Sequence, residues 1–171
     1  MHSLRSLRFL RLILVALAAV VLVACGGRDE PRPIAYDEAT CTYCHMAIAD
    51  RRFGAQFVTT KGKVHSFDSI ECLAWYFLEH REDGRSAWVT DFARPGTMVR
   101  ADTARFVRGG PSRSPMALGL AAFGSPDAAV AAAARGGETM SWTDVLALVE
   151  QSGGVEHGPA HDAHEVHDAP R

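Results

Sequence analysis

The chain has 171 residues, with 18 Lys and Arg against 20 Asp and Glu, which gives a formal net charge of −2. This balance excludes a general nucleic-acid-binding protein, because phosphate contacts need a surplus of Lys and Arg. Four cysteines, at positions 25, 41, 44 and 72, become the main guide to function.

The first 24 residues have the features of a secretory signal peptide. Three arginines precede an uncharged run over residues 12–24, which is too short for a membrane-spanning helix of roughly 20 apolar residues. Cys25 then follows Leu-Val-Ala, an order that resembles the bacterial lipobox, in which the cysteine is acylated. We therefore expect residues 1–24 to be a lipoprotein signal peptide and Cys25 to be lipidated.

Acylation of Cys25 would anchor the mature protein to a membrane face in the periplasm. Gly26 gives no signal for retention at the inner membrane, so the outer membrane remains open as the location. Cleavage would also remove three basic residues and no acidic one, which leaves the mature chain more acidic.

Composition divides the mature chain into three parts. Residues 25–36 are rich in Gly, Pro and charge and predict a flexible tether. Residues 37–150 predict one domain with its own core, and residues 151–171 a disordered tail with almost no apolar side chains. The tail holds four histidines that either bind divalent metals weakly or are only solvated: His157, His161, His164 and His167.

The segment from Cys41 to Met46 concentrates metal-binding side chains within six residues. Cys44 and Met46, one residue apart, could chelate one ion from a loop, and thiolate and thioether sulfurs together select Cu(I). A site with so few ligands would allow handover of the ion by ligand exchange. Cys41 and His45 are second-rank candidates for the same site.

The same segment permits three other interpretations. Cys41, Cys44 and His45 match the C-x-x-C-H pattern of c-type haem attachment, although the proline-containing segment before it cannot form the packing helix of small cytochromes. A C-x-x-C pair also occurs in thiol–disulfide oxidoreductases, but there it usually follows a strand, and here it precedes the first one. A structural disulfide between the two cysteines would close a very small loop.

The following residues alternate between strand and helix patterns. Residues 56–60 and 64–67 predict a hairpin, a helix capped by Asp68 or Ser69 then runs to Gly84, and residues 87–90 return as a strand. A weaker version of this order comes next, with extended segments at 105–107 and 118–123, a helix over 126–134, a short strand at 139–141 and a last helix. The prediction is an α+β fold built from two small ββαβ-like units.

Several other side chains are candidate ligands by residue type. Met116 follows Pro115 in a Ser, Pro and Arg loop, where a core methionine is not expected, so we predict it to be a ligand. Cys72 lies among apolar helix residues and is expected to be a buried, inert thiol. His65 is expected to face solvent, and Met98 to pack in the core.

Five segments together resemble the NosL family, in the same order as in that family. They are Cys41-x-x-Cys44-x-Met46, Phe53-x-Ala55-Gln56, Phe67-Asp68-Ser69-Ile70-x-Cys72-Leu73, Ala87-Trp88-Val89-x-Asp91 and Ser114-Pro115-Met116. The resemblance covers roughly residues 36–150 and implies a fold of two ββαβ units. It also implies a Cu(I)-binding lipoprotein that acts with an ABC-type membrane complex in the maturation of nitrous oxide reductase.

The resemblance carries the copper-binding elements of the family onto Cys44, Met46 and Met116, and it places His45 where glycine is common. The sequence thus predicts a membrane-anchored periplasmic copper chaperone and not an enzyme, since no nucleophile–base pair or carboxylate pair is evident. A c-type electron-transfer lipoprotein and a thiol oxidoreductase remain the alternatives.

Overall fold

A computed structural model describes residues 29–110 and 112–153 of the chain. Within them, seven strands and three helices follow in chain order. They are β1 (Ala55–Thr59), β2 (Val64–Phe67), α1 (Ile70–Glu79), β3 (Gly84–Thr90), β4 (Met98–Arg100), β5 (Arg105–Gly109), β6 (Leu120–Phe123), α2 (Pro126–Ala133), β7 (Gly137–Met140) and α3 (Trp142–Gln151). This order confirms the predicted α+β fold with two ββαβ units.

Each unit forms its own antiparallel sheet around its first strand. The first sheet has the order β2-β1-β3-β4, and the second has the order β6-β5-β7. Phe57 on β1 lies between His65 and Ala87, just as Val107 on β5 lies between Ala121 and Thr139. The two units therefore repeat one arrangement, in which the hairpin partner and the strand after the helix flank the same central strand.

Helix α1 begins where its sequence supplies a cap. The Ser69 hydroxyl accepts a hydrogen bond from the Cys72 backbone N–H at 3.1 Å, which satisfies one of the unpaired amides at the helix start. Such a cap stabilises a helix by about 1 kcal/mol. Leu73 and Trp75 lie on the buried side of α1, and the Trp75 indole N–H donates to the Val149 carbonyl of α3 at 3.3 Å.

One hydrophobic core joins the two units. It contains Phe57 and Leu73 from the first unit and Phe106, Leu120 and Val145 from the second, all fully buried. Burial of such a side chain stabilises the fold by about 1.5–3 kcal/mol. A backbone hydrogen bond of 2.7 Å from Phe92 to Ala122 also links the end of the first sheet to β6.

The end of α1 differs from the prediction. The helix ends at Glu79, a short 3-10 turn follows at Arg81–Asp83, and β3 already begins at Gly84. Gly84 is therefore a strand residue and not a helix stop. Its φ is −78°, and a Cβ at this position would lie 2.7 Å from the Phe57 ring, so close packing against that ring is what requires glycine here.

The proposed leader, Cys25 and the histidines of the tail lie outside the described residues. From Asp29 onward the chain contacts the first sheet: the Asp29 carbonyl accepts from the Trp88 indole at 3.2 Å, and the Arg32 N–H donates to Gln56 at 2.8 Å. The domain boundaries stay predictions. Among the described helices, none combines the length and the apolar character that crossing a bilayer demands.

Candidate metal centre

The cysteine-containing segment forms a closed loop against the first unit. The Cys41 N–H donates to the Met46 carbonyl at 2.8 Å, and the His45 N–H donates to the Cys41 carbonyl at 3.1 Å. The Tyr43 ring stacks on Trp75 of α1 with 5.6 Å between centroids. The Tyr43 ring therefore packs the loop against α1, and the Thr42 N–H, which donates to the Ser66 carbonyl at 2.9 Å, joins it to β2.

His45 has an unusual backbone conformation within this loop. Its φ is 61°, in the left-handed region that residues other than glycine adopt rarely. The conformation explains why glycine suits this position, as the resemblance to the NosL family implies. The imidazole itself is exposed.

Three cysteines and one carboxylate meet between the loop and α1. The Sγ atoms of Cys41, Cys44 and Cys72 and a carboxylate oxygen of Asp68 all lie within 4.8 Å of one another. We call these four residues the thiol cluster. Two sulfur ligands of one ion at about 2.3 Å each can be at most about 4.6 Å apart. The four donors therefore lie close to the spacing that one ion needs, and all three cysteines are free thiols.

The thiols of the cluster differ strongly in acidity. A hydrogen bond from the Cys72 S–H lowers the pKa of Cys41 to about 6, and backbone N–H groups of Cys44 and Asp68 act in the same direction. The same hydrogen bond and burial raise the pKa of Cys72. Burial raises the pKa of Cys44 to about 12. One thiolate is thus stabilised before a metal arrives, and a bound ion would release protons from the other two thiols.

Asp68 gives the cluster a donor of a different kind. Its side chain is 4% exposed, and its Oδ1 atom has no hydrogen-bond partner within residues 29–110 and 112–153. Carboxylate oxygen is a hard ligand that favours divalent ions, whereas thiolates favour Cu(I) and Zn(II). The sulfur atoms therefore suit monovalent copper, and the oxygen adds a fourth ligand that only a divalent ion would use well.

The two methionines predicted as ligands occupy different surroundings. Met46 is 46% exposed, and its backbone N–H hydrogen-bonds to the Cys44 sulfur, so it lies at the rim of the cluster. Met116 is half-buried and packs against the core that includes Cys41 and Cys72. Met116 lies two residues after Ser114, whose hydroxyl donates a hydrogen bond to Glu71, the residue next to Cys72.

The structure brings some predicted residues together and adds others. Cys44 and Cys41 share the cluster, Met46 lies in the same loop, and Met116 lies in a turn beside the first turn of α1. Their roles as ligands stay predictions. Two members of the cluster were not assigned from sequence: Asp68, which is not the helix cap, and Cys72, which is buried as expected but contacts the other thiols.

A signal for Cys72 was nevertheless present in the sequence. The order Ser69-x-x-Cys72 places the cysteine in the first turn of a capped helix, where the helix dipole favours a thiolate. In the metal-free protein the hydrogen bond to Cys41 and burial outweigh the dipole and raise the pKa of Cys72. The apolar neighbours of Cys72 outweighed this signal, because they indicate burial equally well for an inert thiol and for a ligand.

Comparisons with known proteins agree with this architecture. The family model described as NosL matches residues 33–149. A solved structure, the crystal structure of the copper chaperone NosL from Shewanella denitrificans, matches with a TM-score of 0.54 and 22% sequence identity. The match covers 67% of this chain and 96% of that chain, and it supports the fold. Among proteins with curated functions, none matches.

Proposed function

Because the chain belongs to the NosL family, we propose that it is a copper chaperone that binds Cu(I) at the thiol cluster and passes it to a copper enzyme during assembly. The observation that carries this proposal is the spacing of the three sulfur atoms and the Asp68 oxygen, all within 4.8 Å. Soft sulfur donors at such distances suit Cu(I). The structural relative described above is itself named a copper chaperone.

The exposure of the donors suggests how the ion leaves. Cys41 and Cys72 are fully buried, Cys44 is half-buried, and Met46 is largely exposed. Within the Cys41–Met46 loop, the soft donors thus extend from the buried Cys41 to the exposed Met46. A partner could approach the exposed thioether and replace ligands one at a time, so that the ion never has to enter water.

The cellular setting of the proposal comes from the sequence. A lipidated Cys25 would anchor the protein to a membrane in the periplasm. The resemblance to the NosL family implies nitrous oxide reductase as the recipient and an ABC-type maturation complex as a partner. A direct test is transfer of copper from the loaded protein to that enzyme in its copper-free form, followed by metal analysis of the separated proteins.

The two alternatives meet physical obstacles at Cys41. Haem attachment requires both thiols of the motif to reach a porphyrin, yet the Cys41 side chain is 0% exposed and contacts Cys72. A thiol oxidoreductase needs an accessible thiolate. The lowered pKa of Cys41 suits such an enzyme, but its burial keeps large disulfide substrates away.

The proposal is tested by titrating the reduced protein with Cu(I) in competition with a coloured Cu(I) chelator. We expect tight binding without a visible absorption band. Met46→Ala should weaken binding by about tenfold, or 1.4 kcal/mol, without loss of stability, because Met46 is exposed. Val130→Ala, which shortens another exposed apolar side chain, is the control.

Two results would count against this function, and a third would count against Met46 as a ligand. A Soret band in the purified protein would identify a haem protein. Failure of the reduced chain to compete for Cu(I) would exclude a chaperone of this kind. Equal copper affinity in Met46→Ala and Val130→Ala would remove Met46 from the ligands.

A further inference from the structure

A buried acidic residue connects the first turn of α1 to the second unit. Glu71 is 0% exposed, and its Oε1 atom accepts a hydrogen bond from the Ser114 hydroxyl, 43 residues further along the chain. A buried carboxyl is costly unless it is hydrogen-bonded. Glu71 is also the immediate neighbour of Cys72 in the thiol cluster.

A comparison with the second unit shows that an acid in the first turn of a helix does not have to be buried, as Glu71 is. Residues 67–72 and 123–128 both follow the pattern Phe-x-Ser-x-acid, so that Asp127 of α2 corresponds to Glu71. An acid in the first turn of a helix is favourable because of the helix dipole. Asp127 provides this interaction while exposed, whereas Glu71 is directed to Ser114.

Ser114 is the first residue of a tight turn. The Ala117 N–H donates to the Ser114 carbonyl at 3.1 Å, and Pro115 occupies the second position, where its fixed φ favours a turn. The Gly119 N–H donates to the Ser114 hydroxyl oxygen at 2.9 Å. The Ser114 hydroxyl therefore accepts a hydrogen bond from Gly119 and donates one to Glu71. These two bonds hold the turn to its own loop and to the first turn of α1.

Met116 is the third residue of this turn. Two residues of chain span at most about 7 Å, so a turn held at Ser114 restricts where the thioether can lie. Met116 is half-buried and packs against the hydrophobic core that the two units share. The hydrogen bond from Ser114 to Glu71 thus joins the turn that carries Met116 to the helix turn that carries Cys72.

We propose that Glu71 is a positioning residue that holds the Met116 turn beside the thiol cluster, so that the second unit contributes a thioether to copper bound by the first. This inference rests on the proposed function, since it concerns the same Cu(I) site. Glu71 acts through Ser114 and is not itself a ligand. Loss of the hydrogen bond would leave the three thiols in place and release Met116.

The test compares variants that break the hydrogen bond in two ways. Ser114→Ala removes the donor, and the double variant Glu71→Leu/Ser114→Ala also replaces the carboxyl, so that no buried acid is left unpaired. We expect both to bind Cu(I) roughly tenfold more weakly than the parent, as is typical when a residue supporting a ligand is lost. Met116→Ala should have the same effect, with no further loss when it is combined with Ser114→Ala.

X-ray absorption of bound copper provides a readout that a general loss of stability would not change. In protein labelled with selenomethionine, the Ser114→Ala variant should show one copper–selenium contact fewer than the parent. Glu71→Gln has a side chain of similar shape that keeps one acceptor oxygen for Ser114, so this variant should keep the full number of copper–selenium contacts. Asp127→Ala, the corresponding change in the second unit, is the control and should bind Cu(I) like the parent.

The outcomes separate this inference from the proposed function. If the double variant keeps the parental affinity and the full number of copper–selenium contacts, Glu71 does not position Met116. The copper function itself would still stand if Cys44→Ser lost Cu(I) in the same assay. If the parent bound no copper, the proposed function would fail first.

Discussion

The two ββαβ units have the same topology but differ at the N-terminus of their helices. In the first unit, Ser69 caps α1 through its side chain, and the first turn is buried. In the second unit, Ser125 makes no side-chain cap, and the first turn of α2 is mostly exposed. The repeated fold is thus a scaffold, and within the described residues the thiol cluster lies at the helix start of the first copy.

Corresponding positions show what distinguishes the two copies. Asp68 corresponds to Gly124, and Cys72 corresponds to Ala128, so the second unit lacks both donors. The loop from Cys41 to Met46 precedes the first unit and covers the start of α1. The candidate metal centre therefore lies where a donor-rich loop meets a helix start that carries two further donors.

The largest effect is expected from making the first unit resemble the second. Cys72→Ala should weaken Cu(I) binding by more than the roughly 10–100-fold that is typical of losing a supporting residue, because it removes a sulfur atom of the cluster. Competition with a Cu(I) chelator measures this loss. The converse change, Ala128→Cys, should leave the affinity unchanged, because no donor-rich loop covers α2 within residues 29–110 and 112–153. Parental affinity in Cys72→Ala would make Cys72 an inert core thiol.

The expected role of Cys72 also shows how far sequence patterns reach. The strand and helix order follows from local periodicity and turn residues, and the Cys41–Met46 segment is informative by itself. The contact between Cys41 and Cys72 depends on how the loop folds onto α1, and nothing local to either cysteine contains that information. The hydrogen bond between Glu71 and Ser114 is not predictable from sequence for the same reason. Helix periodicity shows that Glu71 is near the buried side of α1, but it does not show which loop contacts the carboxylate.

A smaller effect is expected at Asp68, the donor that the second unit replaces by Gly124. Asp68→Asn should weaken Zn(II) binding by about tenfold and change Cu(I) binding much less, because the lost ligand is a hard oxygen. Competition assays with Zn(II) and Cu(I) chelators on the same protein give the two values. An equal loss for both metals would show that Asp68 supports the fold of the cluster and not the choice of ion.

Residues with a left-handed backbone conformation allow the free energy of unfolding to be compared between a position near the first unit and one in the second. His45 and Ala117 have φ values of 61° and 65°, a conformation that costs about 1–2 kcal/mol for residues other than glycine. His45→Gly should stabilise the copper-free protein by about 0.5–1 kcal/mol, because the entropy of the unfolded glycine offsets part of the gain. Urea unfolding measures it, and Ala117→Gly should behave similarly. A marked fall in Cu(I) affinity in His45→Gly alone would make the imidazole a ligand.

The smallest effect concerns His65, which occupies the strand position of Ala121 in the second unit. Burial, followed by the nearby charges of Lys63 and His80, lowers the pKa of His65 below 6.5. The Tyr76 ring packs against the same imidazole, with 5.1 Å between centroids. The folded protein therefore holds this proton less tightly than the unfolded chain does. The contribution of His65 to the free energy of unfolding is therefore fully present above pH 6.5. It is lost as the pH falls through the lowered pKa of the folded protein.

His65 is half-buried and does not fully face solvent as the sequence predicted. Because its imidazole still has partial contact with water, the loss should stay below about 1 kcal/mol. Urea unfolding of the copper-free protein at pH 7.5 and pH 5.5 measures it, and His65→Gln should reduce the difference between the two values. An unchanged pH dependence in His65→Gln would assign the effect to other groups. It would also mean that the presence of His65, where the second unit has Ala121, does not contribute to the pH dependence of stability.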